Sequence, residues 1–140
     1  MRKAGIMNIL VIDGQGGQLG CSLIKAINER IDGADITAVG TNVNATAAMM
    51  KAGAKKGATG ENPVVVASKK ADVIIGPIGI VISDSMLGEI TPKMAAAVGS
   101  SDAVRILIPV NKCENIVAGV PAVSVSVLIE DAVRRLSELK

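Results

Sequence analysis

Apolar positions follow two rhythms along this chain. Asn8 to Ile12, Ile36 to Val39, Asp72 to Ile75 and Arg105 to Ile108 are short, nearly continuous apolar runs. Lacking the polar alternate positions of a half-solvated strand, they predict strands buried on both faces, as in a parallel sheet. Between them, Gln18 to Arg30 carries Leu19, Leu23, Ile24 and Ile27 at helical spacing, and Gly33 closes it. Asn44 is expected to cap a helix from Ala45 to Ala52, with Gly53 in the stop position. Thr91-Pro92 opens a helix through Val98, stopped by Gly99. Ser124 or Ser126 caps a last helix with Val127, Leu128, Val133 and Leu136 on one face.

Three segments read less simply. Residues 55–61 read as loop. Asn62-Pro63 is a cap followed by proline, which predicts a helix to about Ala71, although Val64, Val65 and Val66 favour a strand. Gly79 to Ile82 reads as a strand or an extended crossing segment, and Ile116-Val117 as a short edge strand. Strands alternating with helices predict an α/β fold: a three-layer, doubly wound, Rossmann-like domain with a mostly parallel sheet. It is expected to occupy residues 1–140 as one domain, with 1–6 as an N-terminal extension.

Composition narrows the function. The chain has no His, which removes the commonest general base and the commonest metal ligand. It has no Phe, Tyr or Trp, so neither bases nor sugar rings can stack on aromatic faces; an adenine would have to lie between aliphatic side chains. Net charge is +2, and Lys55-Lys56, Lys69-Lys70 and Arg134-Arg135 are isolated doublets, so no nucleic-acid partner is expected. The apolar, uncharged runs Val73 to Ser83 and Asn115 to Ile129 fall short of the roughly 20 apolar residues of a membrane span. Two cysteines and no targeting segment point to the cytoplasm. A mean hydropathy of +0.47 is high for so small a domain and points to a homo-oligomer. The segment Ile74 to Ile82 is either the centre of the sheet or a subunit interface.

In open parallel sheets ligands bind beyond the carboxyl ends of the strands. The residues there are Asp13-Gly14-Gln15-Gly16-Gly17-Gln18, then Gly40-Thr41-Asn42, then Gly76-Pro77-Ile78-Gly79, then Pro109-Val110-Asn111-Lys112. Gly14, Gly17 and Gly20 follow a strand and open a helix, so their amides can turn toward an anion at the positive end of the helix dipole. No metal site is expected. The candidate cofactor-binding residues are Gly14, Gln15, Gly16, Gly17, Gln18, Thr41, Asn42, Gly76, Pro77 and Gly79. The ligand class is a small phosphorylated molecule such as a nucleotide or dinucleotide.

The first loop, G-x-x-G-Q-L-G from Gly14 to Gly20, resembles the cofactor loop of extended short-chain dehydrogenases. The resemblance ends there. Thr41 and Asn42 stand where that family places a ribose-binding acid, and the catalytic tyrosine has no counterpart. Across its length the chain is similar to a family of short, functionally uncharacterised bacterial proteins. The phrases that carry the similarity are VIDGQGG (Val11 to Gly17), AVGTN (Ala38 to Asn42), GATGEN (Gly57 to Asn62), GPIGI (Gly76 to Ile80) and MLGEITPKMA (Met86 to Ala95). The resemblance implies a Rossmann-like domain and no activity.

Each candidate also has a plainer reading. The glycine loop is a phosphate cradle or only a tight turn; Asp13 binds a ribose or metal-bound water, or satisfies its own turn. Thr41 and Asn42 shape a pocket or lead into the Asn44 cap. Asp13, Asp84 and Glu89 are the weak catalytic candidates, with Glu61 the other loop acid; together two of them can hold a divalent metal or move protons, or each is a solvated carboxylate. Lys93 and Lys112 reach a phosphate, or are the ordinary lysines of a helix start and a loop end. Cys21, in the first turns of a helix, is expected to have a lowered pKa, and Cys113 lies past a strand. Three functions stay open: a nucleotide- or phosphate-binding module, a small carboxylate- or metal-dependent enzyme acting on a phosphorylated metabolite, and a structural oligomer with no ligand.

Overall fold

The structure, a computed structural model, describes residues 5–110 and 115–139. In chain order the elements are β1 (Met7–Asp13), α1 (Gln18–Arg30), β2 (Ala34–Gly40), α2 (Val43–Ala52), β3 (Lys56–Thr59), α3 (Glu61–Lys70), β4 (Val73–Pro77), a 3-10 turn (Ile78–Val81), α4 (Pro92–Gly99), β5 (Val104–Ile108) and α5 (Val125–Ser137). The five strands form one sheet in the order β3-β2-β1-β4-β5, and every pairing is parallel. The fold is a Rossmann-like, doubly wound α/β domain, and the expected "mostly parallel" sheet is parallel throughout.

Central strands are apolar without interruption because each face has its own core. Ile9 and Val11 of β1 enter one, with Leu23, Ile24 and Ile27 of α1, Met49 of α2, and Val133 and Leu136 of α5. Leu10 and Ile12 enter the other, with Val64 of α3, Ile80 of the 3-10 turn, and Met94 and Val98 of α4. Ile74 and Ile75 are fully buried in opposite cores, so the first part of the Ile74 to Ile82 segment, up to Pro77, lies inside the sheet as β4, and the rest leaves it through the 3-10 turn.

Several local expectations are corrected. Residues 55–61 contain β3, which pairs with β2 from Thr37↔Lys56 to Gly40↔Thr59. Its sequence, Lys-Gly-Ala-Thr, is largely exposed and carries no apolar signal; main-chain bonds to β2 make it a strand. Asn42, not Asn44, caps α2, accepting from the Ala45 amide at 2.9 Å. Gly60, not Asn62, precedes α3, so Pro63 falls within its first turn, where no helical donor is lost. The Val64–Val66 run is helical; Val64 is buried and Val66 faces outward. Gly79 to Ile82 is not extended: the 3-10 turn drops Ile80 into the second core. Ile116-Val117 forms no strand. Thr91 caps α4 and Ser124 caps α5, but Val127 lies half exposed off the buried face of α5. No helix among the described residues is long and apolar enough to cross a membrane.

Candidate functional site

The sheet order creates the site. The chain steps outward from β1 to β2 to β3, then returns to lay β4 against the other side of β1. It leaves β1 for α1 in one core and β4 for the 3-10 turn in the other, so the loops diverge and a crevice opens at the carboxyl edge. There lies a cavity of about 560 Å³. Its floor is Asp13 and the glycine loop from Gly14 to Gln18, and its opposite wall is Pro77, Gly79 and Val110. Met86 and Leu87 overhang it from residues 82–91, which form a strap between the 3-10 turn and α4.

The glycine loop turns into α1 through Gln15 and Gly17, both left-handed, with φ 51° and 74°. Gly17 is the N-cap of α1 and supplies no side chain to it. A Cβ at Gly17 would come 3.0 Å from the Ala45 backbone, so the close approach of α1 to α2 also requires glycine.

Some loop amides already have acceptors. The Gly14 amide donates to Asp13 Oδ1 at 2.8 Å, and the Gly20 amide to Asp13 Oδ2 at 2.7 Å. The Gln15 amide donates to Glu89 Oε1 at 2.8 Å. The Gly17 and Cys21 amides donate to the Gly14 and Gly17 carbonyls, each at 2.9 Å. Among the described residues the amides of Gly16, Gln18 and Leu19 meet no protein acceptor. All three belong to residues lining the cavity, at the N-terminal end of the α1 dipole.

Two carboxylates flank the loop with opposite titration. Burial pushes the Asp13 carboxyl above its ordinary value; the Gly20 and Gly14 amides pull it only part of the way back, and the Glu89 charge adds to the rise. Glu89 also pays some desolvation, but donation from the Gln15 amide, the Thr41 hydroxyl and the Asn42 amide outweighs it and holds the carboxyl below its ordinary value. Glu89 Oε1 takes Thr41 Oγ1 at 2.5 Å and Asn42 Nδ2 at 3.1 Å. The same Asn42 nitrogen lies 2.9 Å from the Gln15 carbonyl oxygen.

The candidates therefore separate. Asp13, Gly14, Gln15, Gly16, Gly17, Gln18, Pro77 and Gly79 line one cavity. Thr41, Asn42 and Gly76 do not line it: Thr41 and Asn42 tie Glu89 to the end of β2, and Gly76 lies against the Ile12 carbonyl. Asp84 is exposed and left-handed in the strap, and among the described residues no three acids or cysteines gather closely enough to hold a metal ion. Glu61 accepts from the Thr91 hydroxyl at the start of α4. Lys93 lines a groove between α3 and α4, away from the cavity. The expected lowering at Cys21 is reversed: burial raises its thiol, Lys25 opposes this, and the Asp13 charge adds to the rise. Asn111, Lys112 and Cys113 lie outside the described residues.

Sequence reasoning missed Leu19, Met86 and Leu87 as lining residues, and placed Val110 at the ligand edge without choosing it as a site residue. None carries a chemical signature in the sequence; the backbone conformation marks the region instead. Among the described residues, Gln15, Asp84, Met86 and Leu87 are the non-glycine positions with positive φ. Three of the four fall in the strap and the fourth lies in the loop bonded to Glu89, so conformations costing about 1–3 kcal/mol each gather around one cavity.

Residues 8–140 match a family model described as Domain of unknown function (DUF3842). No curated protein matches the chain. Among solved structures, a dodecameric FMN-dependent Ubix-like decarboxylase from Escherichia coli O157:H7 is similar at a TM-score of 0.48 and 16% identity, over 94% of this chain and 76% of that one.

Proposed function

Because the chain belongs to the family described as Domain of unknown function (DUF3842), whose description assigns no chemistry, we propose from the crevice alone that it is a binding module for a small phosphorylated ligand. One observation carries this reading: the Gly16, Gln18 and Leu19 amides have no protein acceptor and belong to residues around a cavity of about 560 Å³. Amides of this kind at a helix N-terminus attract an anion, and a phosphate group satisfies several at once. The remaining wall is aliphatic or small, with Leu87 98% exposed at the rim, which suits an apolar or sugar-like group attached to the phosphate.

Gly16 is the position to test, since a Cβ there meets nothing within 4 Å, whereas a side chain at Gly17 is strained. Gly16→Asp sets a negative charge beside the open amides. The wild-type chain should be stabilised against heat by inorganic phosphate in the millimolar range, and Gly16→Asp should melt at the wild-type temperature yet lose that response. A wild-type melting curve indifferent to phosphate, or an equal response in Gly16→Asp, overturns the reading.

A second reading, a small enzyme acting on the same ligand, is favoured by Asp13, a cavity-lining carboxyl whose pKa burial raises toward the range useful for proton transfer. Turnover of a phosphorylated substrate, abolished in a folded Asp13→Asn variant, supports it; turnover surviving that change removes Asp13 from the chemistry. Self-association belongs to the same proposal. Ile116 is 93% exposed, and Val123 just before α5 and Val125 and Val127 in its first turn are exposed as well. Sedimentation of the wild-type chain as a monomer would remove that part.

A further inference from the structure

Glu89 belongs to the strap, yet its carboxylate is fastened to the opposite side of the crevice. Oε1 accepts from Gln15 N, Thr41 Oγ1 and Asn42 Nδ2. Asn42 Nδ2 also reaches the Gln15 carbonyl, so both main-chain groups of Gln15 are bound across to the start of α2 and the strap. The packing leaves little slack: a Cβ at Gly14 would lie 2.6 Å from Thr41 Oγ1, 2.7 Å from Met86 Sδ and 2.9 Å from Glu89 Oε1. Correspondingly, no residue of β2 or of the turn after it lines the cavity, which extends only toward Pro77, Gly79 and Val110. An extended ligand in a doubly wound domain runs across both sides of the switch point, with a sugar over the end of the second strand. In this chain that track is filled by protein.

Resting on the phosphate-site reading above, we infer that Glu89 is a specificity-determining residue. It closes the β2 half of the crevice, so the site takes a ligand with one phosphate and a compact organic group over β4 and β5 and rejects dinucleotides. The exclusion is steric and electrostatic: a dinucleotide's second half would meet the strap, and its second phosphate would approach a carboxylate already supplied with donors. Loss of the side chain removes both barriers; loss of the charge alone removes one.

Calorimetric titration of the full chain with inorganic phosphate, adenosine monophosphate and a nicotinamide dinucleotide tests this in the wild type, Glu89→Gln and Glu89→Ala. The wild type should bind the monophosphate at least about tenfold more tightly than the dinucleotide, and Glu89→Ala should narrow that ratio by about tenfold. Glu89→Gln should narrow it by less. Phosphate binding with no preference in the wild type, or a preference unmoved in Glu89→Ala, overturns the role of Glu89 and leaves the phosphate site standing. Absence of binding by both phosphate and the monophosphate overturns both. Should Glu89→Ala unfold, as circular dichroism reads, the Glu89→Gln ratio decides, and an unchanged ratio overturns the inference.

Discussion

The two halves of the crevice are made of opposite materials. On the β2 side three donors are answered at one point: the Gln15 amide, the Thr41 hydroxyl and the Asn42 side-chain amide converge on one oxygen of Glu89, while Asn42 Oδ1 caps α2. On the β4 side the wall is Pro77, Gly79, Val110 and Leu87, and the facing amides of Gly16, Gln18 and Leu19 have no acceptor among the described residues. One glycine loop serves both halves. A glycine-rich turn is thus a supply of donors, and its neighbours decide which remain available to a ligand.

Substitutions can sharpen that contrast, and the largest effect is expected beneath the crevice. Gly76→Ala would push a Cβ into the Ile12 carbonyl oxygen, main chain of the adjacent strand, with no flexible atom to yield. It should lose about 3 kcal/mol or more in urea unfolding; a loss under about 1 kcal/mol would mean that the β1–β4 floor is not rigid. Gly14→Ala presses instead on the ends of Thr41, Met86 and Glu89. Those can move, so a loss of about 1–3 kcal/mol is expected, with the Glu89 tie opened. If the Gln15 amide keeps its hydrogen-exchange protection in that variant, the two halves are less coupled than the packing implies.

Acid should distinguish the two carboxylates next. Glu89 titrates below its ordinary value when folded, so its stabilising contribution is complete above the unfolded value of about 4.3 and is lost as pH falls through the lower folded one. Asp13 titrates above its ordinary value, so its ionisation costs stability as pH rises from about 3.9 to the higher folded value. Glu89 is partly exposed, and its share should stay below about 1 kcal/mol. Carboxyl carbon-13 spectra should show Asp13 protonating first on acidification; the reverse order would contradict the assigned environments. The smallest effect is expected at Gly16→Ala, which meets nothing within 4 Å and should change stability by under about 0.5 kcal/mol. A larger loss would mean that Gly16 is needed for the turn itself, and not for access to the open amides.

Much of the fold was legible because the apolar runs of β1 and β4 allow no other placement: consecutive residues must enter opposite cores. The edge strand β3 was illegible, since Lys56 to Thr59 bury little and become a strand only by bonding to β2. The cap of α2 was misplaced by two residues because Asn42 and Asn44 are equally able caps, and the path of the chain leaving Gly40 selects between them. In the site, the glycine loop was legible from Gly14, Gly17 and Gly20. The strap was not, because Met86 and Leu87 have nothing in their chemistry to mark a cavity wall.

Residue order by itself determined the parallel layering and put a glycine turn at the head of α1, because both follow from local periodicity and from the backbone freedom of glycine. Only the tertiary structure decided which of that turn's amides stay open. At Gln15 the decision belongs to Glu89, 74 positions away, since a donor is available or spent according to what the packed chain brings within hydrogen-bond distance of it.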